Sequence, residues 1–353
     1  MKEFIKYILL LGNLLAAALL LTSYSSLYIA PDKNWIFSIA GLLYPWFLTL
    51  NIFFIFIWLF IKPANTLISL IMILAGWNVM NRYMQINGRT TDETGIKVVS
   101  YNVKHFTGTG NNPSRDLADL IKSFLKEKEP DIICLQEVKL RTNRIFNLEA
   151  TRNEFPSIKH YQYARVSGTA GSVTMTRYPI IKMQEIRFEK SGNIALCTDM
   201  VAGKDTLRVF NIHLQSYRID PDKYKILETP SLNSDKDLQE AKELGIKYRK
   251  AVKMRALQAR MIRQKIQESP YPVIVCGDFN DPPASYAYQK VRGKLKDSFV
   301  CSGSGIGQTY IGKLPSFRID YILHSHQMKS YNFEVYDVPY SDHLPVSCDL
   351  IVQ

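Results

Sequence analysis

Eight polar residues end or interrupt apolar runs beyond residue 95. Asn102 closes "VVSYN", Glu137 closes "IICLQE", His213 closes "VFNIH", and Asp278 and Asn280 close "VIVCGDFN". Asp320 interrupts "RIDYIL", and the pair Asp342–His343 precedes the terminal run "LPVSCDLIV". Carboxylates and carboxamides hold hard cations through oxygen, and imidazoles move protons near neutral pH. Mounted on strand ends, such groups meet in space although they are far apart in sequence. Taken singly, most have a plain structural explanation. Asn102 suits a turn, Glu137 can pair with Lys139, a lone His213 on a strand is commonly structural, and "GDFN" is rich in turn formers. Asp320 is harder to explain away, because a carboxylate buried in an apolar run requires a partner.

The elements that carry these residues follow from periodicity. "IKVVSYNV", "DIICLQEV", "GSVTMTRYPI", "NIALCTDMVA", "TLRVFNIHL", "YPVIVCGDFN", "SFRIDYILHS", "MKSYNFEVYD" and "LPVSCDLIV" predict strands. "SRDLADLIKSFLKEKEP" places Leu117, Leu120, Ile121, Phe124 and Leu125 at helical spacing and stops before Pro130. "KELGIKYRKAVKMRALQARMIRQKIQE" predicts a long helix, with Ala251, Met254, Leu257, Met261 and Ile262 on its apolar face and a basic face opposite. The stretch Tyr217–Asp237 is polar and Pro-containing and predicts a long loop. Many strands with few helices point to an α+β or layered α/β fold.

The first quarter is different in kind. All four tryptophans lie within the first 80 residues, in three apolar stretches at 4–30, 35–61 and 64–81. A bilayer core takes roughly 20 apolar residues per helix, which the first two stretches meet and the third barely does. Pro31–Asp32 and Lys62–Pro63 separate them, and Pro45 predicts a kink within the second. The small residues Ala16–Ala18 allow a cleaved signal peptide, but the apolar core is long and further spans follow at once. Residues 1–82 are therefore expected to be a transmembrane region, 83–95 a polar linker, and 96–353 a catalytic domain.

The formal net charge is +12. Six basic residues against Glu3 and Asp32 give the first 90 residues +4, so the remainder carries +8. That excess favours anionic partners such as phosphate esters, nucleic acid or acidic headgroups. The five cysteines show no metal-ligand or paired spacing, which argues against a zinc site or a disulfide framework.

The ordered set "SYNV", "LQEV", "TRYPI", "NIHL", "GDFN", "RIDYIL" and "SDHLPV", spread over residues 96–353, resembles the endonuclease/exonuclease/phosphatase superfamily. That superfamily includes deoxyribonuclease-I-like nucleases, abasic-site endonucleases, neutral sphingomyelinases and inositol polyphosphate 5-phosphatases. The resemblance implies a four-layer α/β/β/α sandwich of deoxyribonuclease-I type, following the N-terminal transmembrane helices. It implies metal-assisted hydrolysis of a phosphate ester, with Asn102, Glu137 and Asp342 as the metal set and Mg2+ as the ion, Mn2+ substituting. It further implies that Asp278 activates water, Asn280 steadies the phosphate, His213 and His343 bond its oxygens, and Asp320 orients His343. Where some nucleases of the family carry an acid, two residues beyond the asparagine, this chain has Lys104, which favours a single metal.

The expected protein is thus a membrane-anchored hydrolase of phosphate mono- or diesters. A lipid headgroup or small phosphate ester is the favoured substrate, a tethered nuclease acting on DNA or RNA is the alternative, and no partner protein is expected. The basic lysines and arginines flank the apolar stretches almost evenly, so the positive-inside rule decides little. We expect an integral protein of a bacterial inner membrane with its domain outside the cytoplasm, should all three stretches cross.

Overall fold

A computed structural model describes residues 2–86, 88–108, 110, 112–139, 145–165, 170–217, 235–312 and 318–353. The strands beyond residue 95 are β1 (Ile96–Asn102), β2 (Ile132–Lys139), β3 (His160–Arg165), β4 (Ala170–Thr176), β5 (Ile180–Arg187), β6 (Ile194–Ala202), β7 (Asp205–His213), β8 (Val273–Asp278), β9 (Lys296–Asp297), β10 (Asp320–His324), β11 (Met328–Val335) and β12 (Val346–Val352). They form two six-stranded sheets, ordered β11-β12-β1-β2-β4-β3 and β5-β6-β7-β8-β10-β9.

Side-chain alternation explains why these strands read as continuous apolar runs. Val98, Ile132, Cys134, Ile274 and Cys276 point between the sheets, while Val99, Tyr101, Ile133 and Leu135 point outward against helices. A strand buried on both faces has no polar face to show. Helix Arg115–Lys128 covers the first sheet with Ala118, Ile121, Phe124 and Leu125. The Ser114 hydroxyl accepts from Leu117 N at its start, and Glu129 ends it in the left-handed region. Leu120, read as part of the apolar face, is exposed instead.

Helices Asp235–Gln267 and Tyr286–Arg292 cover the second sheet. On the long helix the buried face is Ala251, Val252, Ala256, Ala259, Ile262 and Ile266. Leu257 and Met261, expected inside, are exposed, whereas Arg255, expected on a solvated basic face, is fully buried. Helical phase decides both: Arg255 points inward because an acidic partner, Asp281, waits there. The result is the four-layer sandwich expected from the sequence.

Two local differences have simple causes. "GSVTMTRYPI" is not one strand but the end of β4 and the start of β5, broken at Arg177–Pro179. Strand β3 has no alternating apolar pattern strong enough to announce it; it is an edge strand paired only with β4. The loop expected at Tyr217–Asp237 falls, over residues 218–234, outside the described residues.

The N-terminal quarter is helical: α1 (Lys2–Ser25), α2 (Ile36–Leu42), α3 (Tyr44–Ile61), α4 (Thr66–Ala75) and α5 (Trp77–Met80). The second apolar stretch is therefore two helices, not one kinked helix. Pro45 cannot donate to Gly41, and the chain breaks at Leu43. The third is also broken, at Gly76. Two helices, Glu3–Ser25 and Tyr44–Ile61, are long and apolar enough to cross a membrane, and only 22% of each is buried in the protein. Between them a polar cluster joins three helices: Asn13 Nδ2 donates to Ser69 Oγ at 2.6 Å, Ser69 Oγ to Asn51 Oδ1 at 2.9 Å, and Trp58 Nε1 to Asn13 Oδ1 at 3.0 Å. The segment expected to be a linker is fastened down. Gln85 and Gly305 exchange backbone hydrogen bonds, and Asn332 N donates to Arg89 O at 2.8 Å.

Candidate active site

Strand direction gathers the polar residues. β1 and β2 are parallel, as are β7 and β8, so the C-terminal ends of all four open at one edge of the sandwich. β10 runs antiparallel to β8 with Asp320 opposite Asp278, which brings its first residue to the same edge. His213 is opposite Asp278 in register. β7 and β8 approach so closely there that Gly277, at φ +135°, has no room for a side chain: a Cβ would overlap the Ile212 carbonyl.

Backbone irregularity aims two of the side chains. Glu137 sits in a bulge of β2 against β4, between Leu135 and Val138, with φ 55°. A non-glycine residue in that region is uncommon, and a bulge redirects its side chain off the sheet. Asn280 also has φ 53°. It is held by its own amide, which donates to Asp278 Oδ1 at 2.7 Å, and by its Nδ2, which donates to Asp278 Oδ2 and Leu214 O, both at 3.0 Å.

The resulting cluster is tight. Asn102 Nδ2 donates to Asp278 Oδ2 at 3.0 Å and to Glu137 Oε1 at 3.3 Å. His213 Nε2 lies 3.4 Å from Glu137 Oε1 and 3.7 Å from Asp278 Oδ2. His343 Nε2 lies 3.8 Å from Asp278 Oδ2, and its Nδ1 is 2.9 Å from Asp320 Oδ2. Thr309 Oγ1 accepts from the amides of Ile319 and Asp320, which pins the strand start that carries Asp320. Seven of the eight sequence-predicted residues thus form one hydrogen-bonded and ion-paired group.

Asp342 does not join it. Its carboxylate pairs with Lys104 at 3.0 Å, and among the described residues no hydrogen bond or ion pair connects it to Asn102 or Glu137. The reason is local: Lys104 follows Asn102 by two residues and reaches across to the Asp342 loop. Of the three expected metal-holding residues, Asn102 and Glu137 touch each other, and His105 and His213 lie around the Glu137 carboxylate. His105 was not singled out from the sequence; its Nε2 lies 3.2 Å from Glu137 Oε2. The left-handed turn Lys104–Phe106 presents it, and only its place three residues after Asn102 hinted at this.

Electrostatics divide the acids. Burial works to raise the Glu137 carboxyl, but the imidazoles of His213, His105 and His343 and the Asn102 amide outweigh it and hold it below the usual value. Asp278 goes the other way: burial and the neighbouring Asp320 push it up to about 6, against the pull of His343 and His213. Burial disfavours a charged His343, yet Asp320 and Asp278 overcome this and raise it to about 10. Glu137 is thus an ionised oxygen donor, surrounded by carboxamide and imidazole groups with no thiolate. That donor chemistry fits a hard divalent cation. The group opens onto a groove of ≈ 710 Å³ lined by His105, Glu137, His213, Ser172, Lys190 and Asn193.

Comparison with known proteins agrees with this architecture. Residues 99–343 match the Endonuclease/Exonuclease/phosphatase family, and residues 6–83 match a domain of unknown function (DUF8431). No curated protein matched. Among solved structures, a humanized D. rerio TDP2 aligns with TM-score 0.53 and 18% identity over 74% of this chain and 100% of that one. The human Nocturnin catalytic domain aligns with TM-score 0.51 and 17% identity, covering 74% and 94%. A mannosyl-6-phosphatase of Bacteroides thetaiotaomicron aligns with TM-score 0.50 and 17% identity, covering 72% and 99%. At these identities the likeness is one of fold.

Proposed function

Since the chain belongs to the Endonuclease/Exonuclease/phosphatase family and is a hydrolase of phosphate ester bonds, we propose that it is a membrane-anchored, Mg2+-dependent phosphoesterase acting on a lipid headgroup or small phosphate ester. The observation that carries this reading is the convergence of Asn102, Glu137, His213, Asp278, Asn280 and the Asp320–His343 pair in one cluster, which Glu137 and His213 open to the groove. Glu137 and Asn102 would hold the cation, and a cation there would supply charge to offset the phosphate and polarise its P–O bond.

The chain's own groups have distinct parts in this reading. Asp278 Oδ2 accepts and orients a water's proton, and its raised pKa suits a group that takes up a proton near neutral pH. Asn280 and His213 steady the non-bridging oxygens. Protonated His343, braced by Asp320, donates to the charge that builds on the phosphate in the transition state. Lys190 and His105 on the groove wall add attraction for an anionic group.

Placement supports the membrane part. α1 and α5 both end against the domain, while α3 runs away from it, so the apolar stretches form an up-down-up bundle with the domain at one end. Tyr28, Trp46 and Trp77 are exposed near that end, where aromatic rings favour a bilayer interface. Crossing three times would leave Lys2 and the domain on opposite faces. A groove on a domain tethered to a bilayer favours a headgroup over a polymer in solution.

The test is the full-length protein in detergent with Mg2+, offered a phospholipid panel, p-nitrophenyl phosphate, bis(p-nitrophenyl) phosphate, plasmid DNA and RNA. Chelator-sensitive release from the lipid or small esters supports the reading. Cleavage of DNA or RNA alone replaces it with the nuclease. No release from any substrate rejects both.

A further inference from the structure

The loop that follows the proposed water-activating residue is held by the N-terminal helices. Between Asp278 and Tyr286 the chain forms no regular element and carries consecutive prolines, Pro282 and Pro283. Three backbone polar groups of Pro283–Ala284 find N-terminal partners. Ser26 Oγ donates to Ala284 O at 2.7 Å, the Tyr83 hydroxyl accepts from Ala284 N at 3.1 Å, and Arg82 Nη1 donates to Pro283 O at 3.3 Å. Gly41 of α2 presses so close that a Cβ there would overlap the Ala284 carbonyl and Ser26 Oγ. Ala284 itself is buried in the apolar cluster of Leu20, Leu27, Tyr44 and Val79.

The other flank of the loop is tied to the domain. Asp281 pairs with buried Arg255, whose guanidinium lies 4.5 Å from the Tyr217 ring centroid, and the Tyr321 hydroxyl donates to Asp281 O at 2.8 Å. Tyr217 stacks on Tyr248 at 5.2 Å, and the Tyr248 hydroxyl donates to Ser38 Oγ at 3.1 Å. Arg82 is fixed in turn, since its carbonyl accepts from Arg318 Nη2 at 2.8 Å. The contacts from Ser26, Gly41, Arg82 Nη1 and Tyr83 all reach Pro283 and Ala284, five and six residues after Asp278.

We propose that Ser26, Arg82 and Tyr83 are positioning residues, and that the N-terminal bundle forms the outer support of the loop Asp278–Ser285. The anchor then does more than hold the domain at a surface: it fixes where Asp278 and Asn280 stand relative to Glu137. A buried carbonyl or amide left without its partner is costly, so the loop would shift to satisfy it elsewhere. The inference rests on the roles proposed above for Asp278 and Asn280.

The experiment compares full-length wild type, the Ser26→Ala/Tyr83→Phe double variant, and Trp58→Phe. The last disturbs the bundle's polar cluster without touching the loop. Ser26→Ala alone serves where the double variant does not fold. Turnover of bis(p-nitrophenyl) phosphate with Mg2+ is measured beside hydrogen–deuterium exchange of the peptide spanning 278–288. The expected result for the double variant is a kcat about ten- to a hundredfold lower, KM little changed, and faster exchange in that peptide. Trp58→Phe is expected to lower the melting midpoint and leave both readouts as in wild type. Unchanged exchange and kcat in the double variant, or an equal loss in Trp58→Phe, overturns the proposal. Wild-type protein that turns over neither this diester nor any other substrate of the panel rejects the phosphoesterase reading, while the exchange comparison still decides the positioning.

Discussion

Asp320 Oδ2 lies 2.9 Å from His343 Nδ1, and the far nitrogen of the same ring points toward Asp278 at 3.8 Å. An imidazole between two buried carboxylates keeps its proton, and the near carboxylate fixes which nitrogen faces the groove. Asp320→Asn removes the charge and keeps the shape. We expect kcat to fall about a hundredfold or more with the melting midpoint near wild type, measured by steady-state kinetics and circular dichroism. Wild-type turnover in that variant would falsify the assigned role.

Glu137 is the one acid of the cluster that faces the groove and stays ionised. Glu137→Gln should weaken Mg2+ binding by at least about tenfold, read by isothermal titration, and abolish turnover at low metal. Mg2+ affinity unchanged in the variant would place the cation elsewhere.

The Asp297–Arg318 pair gives the domain an acid limit. Both side chains are buried, with Arg318 Nη2 2.8 Å from Asp297 Oδ2 and the Tyr288 hydroxyl donating to the same oxygen at 2.6 Å. Burial favours protonating Asp297, but Arg318 prevails and holds its carboxyl below the usual range. A lowered folded pKa means the contribution is complete above about pH 4, the unfolded value, and is lost as pH falls through the lower folded value. Asp297→Asn should cost about 3–5 kcal/mol at neutral pH, because it leaves a buried guanidinium unpaired. The gap between variant and wild type should narrow below pH 4. Denaturant melts across pH 3–7 check both, and a gap that does not depend on pH refutes the linkage.

At Gly277 the backbone itself is the constraint. Gly277→Ala puts a Cβ against the Ile212 carbonyl at a φ that side chains rarely adopt. We expect a loss of about 1–3 kcal/mol and a displaced His213–Asp278 pair, hence lower kcat, read by chemical denaturation and kinetics. An alanine variant of native stability would mean that β7 and β8 are less closely apposed than described.

Orientation is checked with reporters. A tag before Lys2 and a reporter after Gln353 should report opposite faces of the membrane in cells. Both on one face would show that α4 and α5 do not complete a third crossing.

The two-face burial of β1, β2, β7 and β8 and the helical spacing of Ile121, Phe124 and Leu125 were legible in the sequence, because close-packed layers demand apolar residues at fixed periods. So were the polar residues at the strand ends, whose carboxylates and imidazoles have no place in an apolar run without a shared purpose. Edge strand β3 was not legible, since an edge needs little apolar surface. The sequence by itself therefore determined the layers, the apolar N-terminal helices and the polar residues that the strand ends bring together.

Tertiary structure alone decided three further things. It set Asp342 against Lys104 in an ion pair that no periodicity foretells. It brought His105 to Glu137 through a left-handed turn that no periodicity foretells. It also set Ser26, Arg82 and Tyr83 on a loop some 200 and more residues away, at separations of 258 and 201 residues. Periodicity reports which face of an element is buried; it carries no information about which distant element lies against that face, and that choice belongs to the packed chain.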